Sequence, residues 1–204
     1  MPLRLYSAVI IGLLLAAWQP AHAKDPIVEE LRFGVLAHNI SVGINPGNEN
    51  QEDGENIQGE IVFGSPPLLD RRWTGRPRPY IVGSVNTAGD TSFGGFGLLW
   101  NFDFGRGKKW SVEPGLGYIV HSGAIDLPFP IGDPQNTEFD ENNILFGSRD
   151  LFRTTLALNR DLGQRWGMQI IYEHLSHGQI LGQGRNQGND SIGARVYFRF
   201  GVEK

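Results

Sequence analysis

The chain has no cysteine among its 204 residues, which excludes disulfides, thiolate metal sites and a cysteine nucleophile. It has no basic excess either. The formal charge of −4 argues against a nucleic-acid binder. Long hydrophobic runs are scarce: one N-terminal stretch is apolar enough to resemble a membrane helix, and mean hydropathy is slightly negative. A polytopic helical membrane protein is therefore excluded. No long stretch has helical periodicity. Glycine, by contrast, is plentiful at 28 residues, roughly twice the usual ~7%. Each helix-interior glycine costs about 1 kcal/mol relative to alanine, so an all-helical fold is disfavoured as well.

Residues 1–23 combine a basic start at Arg4, an apolar run from Ala8 to Ala17, and Ala21-His22-Ala23 before Lys24. Charge, short apolar core and small-x-small site form the three-part pattern of a secretory signal. The apolar run is about half the roughly 20 residues a spanning helix needs. The expectation is a cleaved signal over 1–23, followed by a single domain over 24–204.

The remaining chain alternates apolar and polar residues, which puts the two kinds on opposite faces of a strand. Phe96, Leu98, Trp100, Phe102 and Phe104 share one face, as do Trp110, Val112, Pro114, Leu116, Tyr118 and Val120. Ile192, Ala194, Val196, Phe198 and Phe200 do so again, and Trp166, Met168, Ile170 and Tyr172 share a face within 165–177. Weaker segments at 30–42, 57–66, 78–87 and 150–160 bring the strand count to eight. The acidic stretches 43–56 and 122–143 read as long loops.

One face of each strong strand is large and aromatic, and the other is small or charged. A soluble sandwich turns the large face inward, whereas an outer-membrane barrel turns it toward lipid and fills its lumen with polar groups. The export signal, the even strand count and aromatics near strand ends (Trp100, Trp110, Phe198, Phe200) favour the membrane. Glu113 and Asp103 are expected to pair in a narrow lumen with Arg153, Arg195 and Arg199. Closure also removes the unpaired edges that lipid would penalise. The reading is an all-β fold: an eight-stranded antiparallel outer-membrane β-barrel.

The segment Tyr172-Glu173-His174-Leu175-Ser176-His177-Gly178 carries the chemistry. His174 and Ser176, two apart, project from the same outward face, where an idle polar pair would be costly. Asp190 shares the outward parity of the last strand. If 165–177 and 190–200 form a hairpin, His174, Ser176 and Asp190 converge near its loop. Serine becomes a nucleophile when a neighbouring base takes its proton and an acid orients that base. Backbone N–H groups of His177 and Gly178 are candidates to stabilise an oxyanion. Zinc held by His174 and His177 fails on parity, as does Glu173 as the acid. His121-Ser122 reads as a strand end. Arg71, Arg72, Arg76 and Arg78 surround Trp73 as either a solvated loop or a contact for lipid phosphates.

At these residues the chain resembles the PagL-type lipid A 3-O-deacylases, the acyloxyacyl hydrolase family of outer-membrane barrels. The resemblance covers Val62-Phe63-Gly64-Ser65-Pro66, Gly83-Ser84-Val85-Asn86-Thr87, Glu113-Pro114-Gly115-Leu116-Gly117 and Gly147-Ser148-Arg149. It is sharpest at His174-Leu175-Ser176 and at Asn186-Gln187-Gly188-Asn189-Asp190-Ser191. It implies that Ser176 is the nucleophile, His174 the base and Asp190 the acid. Here His177 stands where a common form of the motif has asparagine, the acid is Asp rather than Glu, and the chain continues past Phe200. The implied activity is metal-independent, cofactor-free removal of the 3-O-linked acyl chain of lipid A, the membrane anchor of lipopolysaccharide, in the bacterial outer membrane. Family members are dimers, so a homodimer is implied as well. Two other classes remain open from the residues: a non-enzymatic structural or adhesive barrel, and a soluble periplasmic lipid-binding barrel.

Overall fold

The computed structural model of the chain describes residues 27–41 and 51–201; the expected signal segment and most of the first expected loop lie outside them. Nine strands are present: β1 (Val28–Ala37), β2 (Glu55–Phe63), β3 (Arg78–Asn86), β4 (Phe93–Leu99), β5 (Phe102–Phe104), β6 (Trp110–His121), β7 (Asp150–Asp161), β8 (Trp166–Ser176) and β9 (Asn189–Arg199). Each pairs antiparallel with its sequence neighbour except at two places. β1 pairs with β9, and β4 pairs with β6, so the sheet closes on itself. The short β5 follows β4 along β6 in an unchanged register, with Leu99 opposite Gly115 and Phe102 opposite Val112. It extends the fourth strand beyond a break at Trp100 and Asn101. The result is an eight-stranded barrel with one short additional segment.

Parity decides what each strand shows to the outside. Along β8, Trp166, Met168 and Ile170 are 56%, 48% and 58% exposed, while Gly167, Gln169 and Ile171 between them are buried. The same alternation runs through β1, where Leu31, Phe33 and Val35 face out and Glu30, Arg32 and Leu36 face in. An apolar exterior over a charged interior is the reverse of a water-soluble protein and suits a lipid surround. The full-length strands β6 to β9, at 11–12 residues, have the length a tilted strand needs to cross a bilayer. Among the described residues no helix is long and apolar enough to cross one.

Eight strands leave a lumen that side chains fill. Arg153, fully buried, reaches Glu60 at 3.2 Å and Glu173 at 2.5 Å and lies over the Tyr80 ring. Arg32 bonds Glu30 and Glu113, Arg195 bonds Glu60 at 3.1 Å, and Arg199 bonds Glu30 and Asp161. The expected lumenal set is thus corrected in part. Asp103 lies exposed at the barrel end, bonded to Asn101 rather than to arginine, because β5 runs past the closed section. Arg78, expected to belong to the basic cluster around Trp73, enters the lumen instead and bonds Glu30 and Glu113.

The stretch 122–143, expected as a long loop, contains one short helix, α1 (Gln135–Asn142). Just beyond it Ile144, Leu145 and Phe146 are fully buried in the barrel mouth, with Phe146 against His121. Leu145 and Gln187 exchange two hydrogen bonds, Leu145 N–H to Gln187 Oε1 at 2.7 Å and Gln187 N–H to Leu145 O at 3.2 Å. An ion pair between Arg185 and Asp140 adds a second tie. The mouth plug thereby holds the β8–β9 loop, on whose two ends the candidate site is built.

Candidate active site

The β8–β9 hairpin places His174 directly opposite Asp190. Both side chains leave the outward face, and His174 Nδ1 lies 2.7 Å from Asp190 Oδ1. The carboxylate is nearly enclosed, with its side chain 1% exposed, whereas the imidazole is 23% exposed. A histidine bonded to an acid through Nδ1 presents Nε2 to the outside, the arrangement that fixes the tautomer of a general base. Ser176 lies two residues further along β8 on the same face, opposite Phe152 of β7. Two strand residues span about 7 Å between Cα atoms, within reach of an imidazole and a hydroxymethyl group leaning toward each other. Among the described residues no hydrogen bond joins Ser176 Oγ to His174. Such nucleophile–base bonds are commonly loose until substrate is bound.

A residue that strand parity placed among the apolar ones joins them. Tyr172 O–H donates to Asp190 Oδ1 at 2.7 Å, the same oxygen that faces His174. The signal was present in the sequence: Tyr172 shares the face of His174 and is amphipathic, so its hydroxyl needs a partner when partly buried.

His177 has a different role from the expected one. Its backbone N–H, a candidate oxyanion donor, donates to Asn186 Oδ1 at 3.2 Å. Its ring is fully buried, accepting from Gln179 N–H at Nδ1 and facing the Arg185 carbonyl with Nε2 at 3.0 Å. The His177 carbonyl accepts from Ile180 and Leu181. Strand parity explains this: an odd-numbered residue of β8 points inward, and past the strand end inward means into the loop. His177 is the peg on which the loop 177–188 hangs. Gly178 follows at φ +59°, a left-handed conformation that glycine tolerates without strain, and its N–H donates to no described residue. Of the two expected oxyanion donors, Gly178 is the one left available.

Among the described residues no group of three or more His, Asp or Glu side chains is placed to hold a metal ion. His121 is bonded through Nε2 to the Ser148 carbonyl at the mouth, with the strand-end character expected of it.

A family model described as Lipid A 3-O-deacylase (PagL) matches residues 69–199, which include the whole constellation. The chain belongs to that family. Among solved structures, the outer membrane enzyme PagL is similar with a TM-score of 0.56 at 14% identity, covering 82% of this chain and 97% of that one. Neisserial surface protein A gives 0.44 at 11% identity, covering 85% and 96%. The Yersinia pestis outer membrane protein Ail gives 0.37 at 10% identity, covering 84% and 99%. A search of curated protein sequences finds no significant match. As a PagL-family barrel, the protein is an outer-membrane protein, and its apolar exterior is the surface that meets lipid.

Proposed function

We propose that the protein is an esterase of the outer membrane that hydrolyses the 3-O-linked acyl chain of lipid A through Ser176, His174 and Asp190. Family membership supports the substrate class. The observation that carries the mechanism is the 2.7 Å contact between His174 and the enclosed Asp190 on the lipid-facing side of the barrel, with Ser176 on the same face. A lipid ester arrives laterally from the membrane, so its catalyst belongs on the outer wall rather than in a lumen filled with ion pairs.

Ser176 Oγ attacks the ester carbonyl while His174 Nε2 takes the hydroxyl proton. Asp190 holds the Nδ1–H and stabilises the imidazolium that forms. The negative charge on the tetrahedral oxygen is met by the Gly178 N–H, worth on the order of 3 kcal/mol for one such donor. Collapse of the intermediate expels the sugar 3-oxygen, which leaves with the proton from His174. Water, deprotonated by the same imidazole, then releases the fatty acid from Ser176. Tyr172 acts as a positioning residue, holding Asp190 from the side away from Ser176.

Mass spectrometry of lipid A from cells expressing the protein tests the reading. The wild type is expected to remove one 3-hydroxyacyl chain, and Ser176→Ala is expected to leave lipid A intact at equal barrel abundance. Identical lipid A profiles from the two would refute Ser176 as nucleophile. Lipid A left intact by both would favour a non-enzymatic barrel.

A further inference from the structure

The two ends of the barrel carry opposite charge. Connections at the site end (38–54, 87–92, 122–149 and 177–188) hold eight acids against two arginines among the described residues. Those at the other end (64–77, 100–109 and 162–165) hold seven basic side chains against two acids. Of those seven, Arg76 alone has a carboxylate partner among the described residues, Asp70 at 3.0 Å. The other six make no ion pair with any described residue, in contrast to the lumen, where each arginine is matched.

The basic residues form a continuous arc rather than three separate turns. Trp100 Nε1–H donates to the Thr74 carbonyl at 2.9 Å, which fastens the turn bearing Arg71, Arg72 and Arg76 to the one bearing Arg106, Lys108 and Lys109. Gly75 makes this possible: at φ +74° it lies so close to the Trp100 ring that a Cβ would stand 2.9 Å from it. The second turn joins the third through Asp161 N–H to the Lys109 carbonyl at 2.8 Å. Just above the arc, Phe102, Phe104, Trp110 and Trp166 form an outward aromatic band, and Trp73, 82% exposed, projects from the arc itself.

Aromatic bands mark the headgroup level of a bilayer. Cations one side chain beyond the band stand at the depth of the lipid phosphates, where each Lys or Arg favours an anionic surface. We infer that this arc is a docking surface for anionic glycerophospholipid headgroups of the leaflet opposite the one carrying lipid A. The choice of leaflet rests on the proposed function, which places the site end among lipid A. The affinity for anionic headgroups rests on the arc alone. The charge layout distinguishes the two ends of the barrel: an acidic rim at the site end and a basic, aromatic rim at the other.

The test uses the full barrel reconstituted in dioleoylphosphatidylcholine vesicles with trace spin-labelled phosphatidylglycerol or spin-labelled phosphatidylcholine. The fraction of label immobilised by the protein gives a relative association constant. The expected result is about a three- to tenfold preference for phosphatidylglycerol at low salt, weakening as salt is raised. The variant R71Q/R72Q/R106Q/K108Q is expected to bring the ratio near one, whereas D133N/E141Q at the site end leaves it unchanged. These side chains make no ion pair with described residues, and an unchanged urea unfolding midpoint confirms the fold. Equal association of both labels with the wild type overturns the inference. So does a preference that survives the fourfold substitution, or one that inorganic phosphate removes as completely as salt of equal ionic strength fails to. Because the readout contains no lipid A, a protein inactive in deacylation but selective for phosphatidylglycerol would refute the proposed function and leave the docking surface standing.

Discussion

Two polar clusters lie back to back across β8, and neighbouring residues of one strand serve them. Glu173 points inward to Arg153 and is wholly buried, while Tyr172 and His174 on either side of it point outward to Asp190. The inner cluster is large, and its charges are closed on one another: Arg153, Arg32 and Arg195 meet Glu60, Glu113, Glu30 and Glu173. The outer one is small and open, with an imidazole edge and a hydroxyl turned toward lipid. A filled ionic lumen is stiff because each side chain is held by several others, and removal of one strands its partners. That stiffness supports the outer wall. In surroundings of low polarity a hydrogen bond to a carboxylate is stronger than in water, so the proposed catalytic roles draw on the contact between His174 and the enclosed Asp190.

The largest expected effect that separates the clusters is at Asp190. Asp190→Asn keeps the shape and removes the charge, so His174 loses both its preferred tautomer and the counter-charge to its imidazolium. kcat is expected to fall on the order of 10³- to 10⁴-fold, with little change in unfolding midpoint. A synthetic 3-O-acylated glucosamine in detergent, followed by fatty-acid release, gives the rate. Retention of more than a tenth of the activity would mean that Asp190 does not orient the base.

The converse change belongs in the lumen. Arg153→Met is expected to destabilise the barrel by about 3–5 kcal/mol, because Glu173 and Glu60 are left buried with reduced compensation. Urea unfolding of the refolded protein in micelles measures it. The double variant Arg153→Met/Glu173→Gln is expected to recover part of the loss. An unchanged midpoint in the single variant would show that the lumen admits enough water to solvate the carboxylates, and the contrast drawn between the clusters would fail.

Strand parity made the outward arrangement of His174, Ser176 and Asp190 legible, because a face depends only on counting residues. The hairpin register follows from the same counting once the loop length is known. What parity does not carry is depth along the barrel or contact across it. Asp103 has inward parity but sits past the closed section, so it misses the arginines. Arg32 on β1 meets Glu113 on β6, and Arg153 on β7 meets Glu60 on β2, through tilt and closure that no single strand encodes. The plug at Ile144–Phe146 falls between the loop expected at 122–143 and the strand expected at 150–160, and a buried apolar triplet has no periodicity of its own to announce it. The tie at His177 escapes parity for a related reason: its backbone N–H donates to Asn186, which is nine residues away around the loop.

The smallest expected effect sharpens the comparison most, since it asks whether the outer cluster also depends on shared partners. Tyr172 and His174 meet the same oxygen of Asp190. With Tyr172→Phe the carboxylate keeps its charge and its histidine but loses one lateral restraint, at a cost typical of a hydrogen bond to a charged group, about 1.5 kcal/mol or roughly tenfold. If Tyr172 positions the acid, the loss falls on kcat and leaves KM in place, because the phenol does not touch substrate. If Tyr172 only packs the wall, the unfolding midpoint moves and kcat does not. Combining it with Asp190→Asn separates the two further. A tyrosine that works through Asp190 has nothing left to hold once the carboxylate is an amide, so the double variant is expected to be no slower than Asp190→Asn alone. Fully additive losses would instead place Tyr172 in contact with the acyl chain, as part of the surface that receives the lipid.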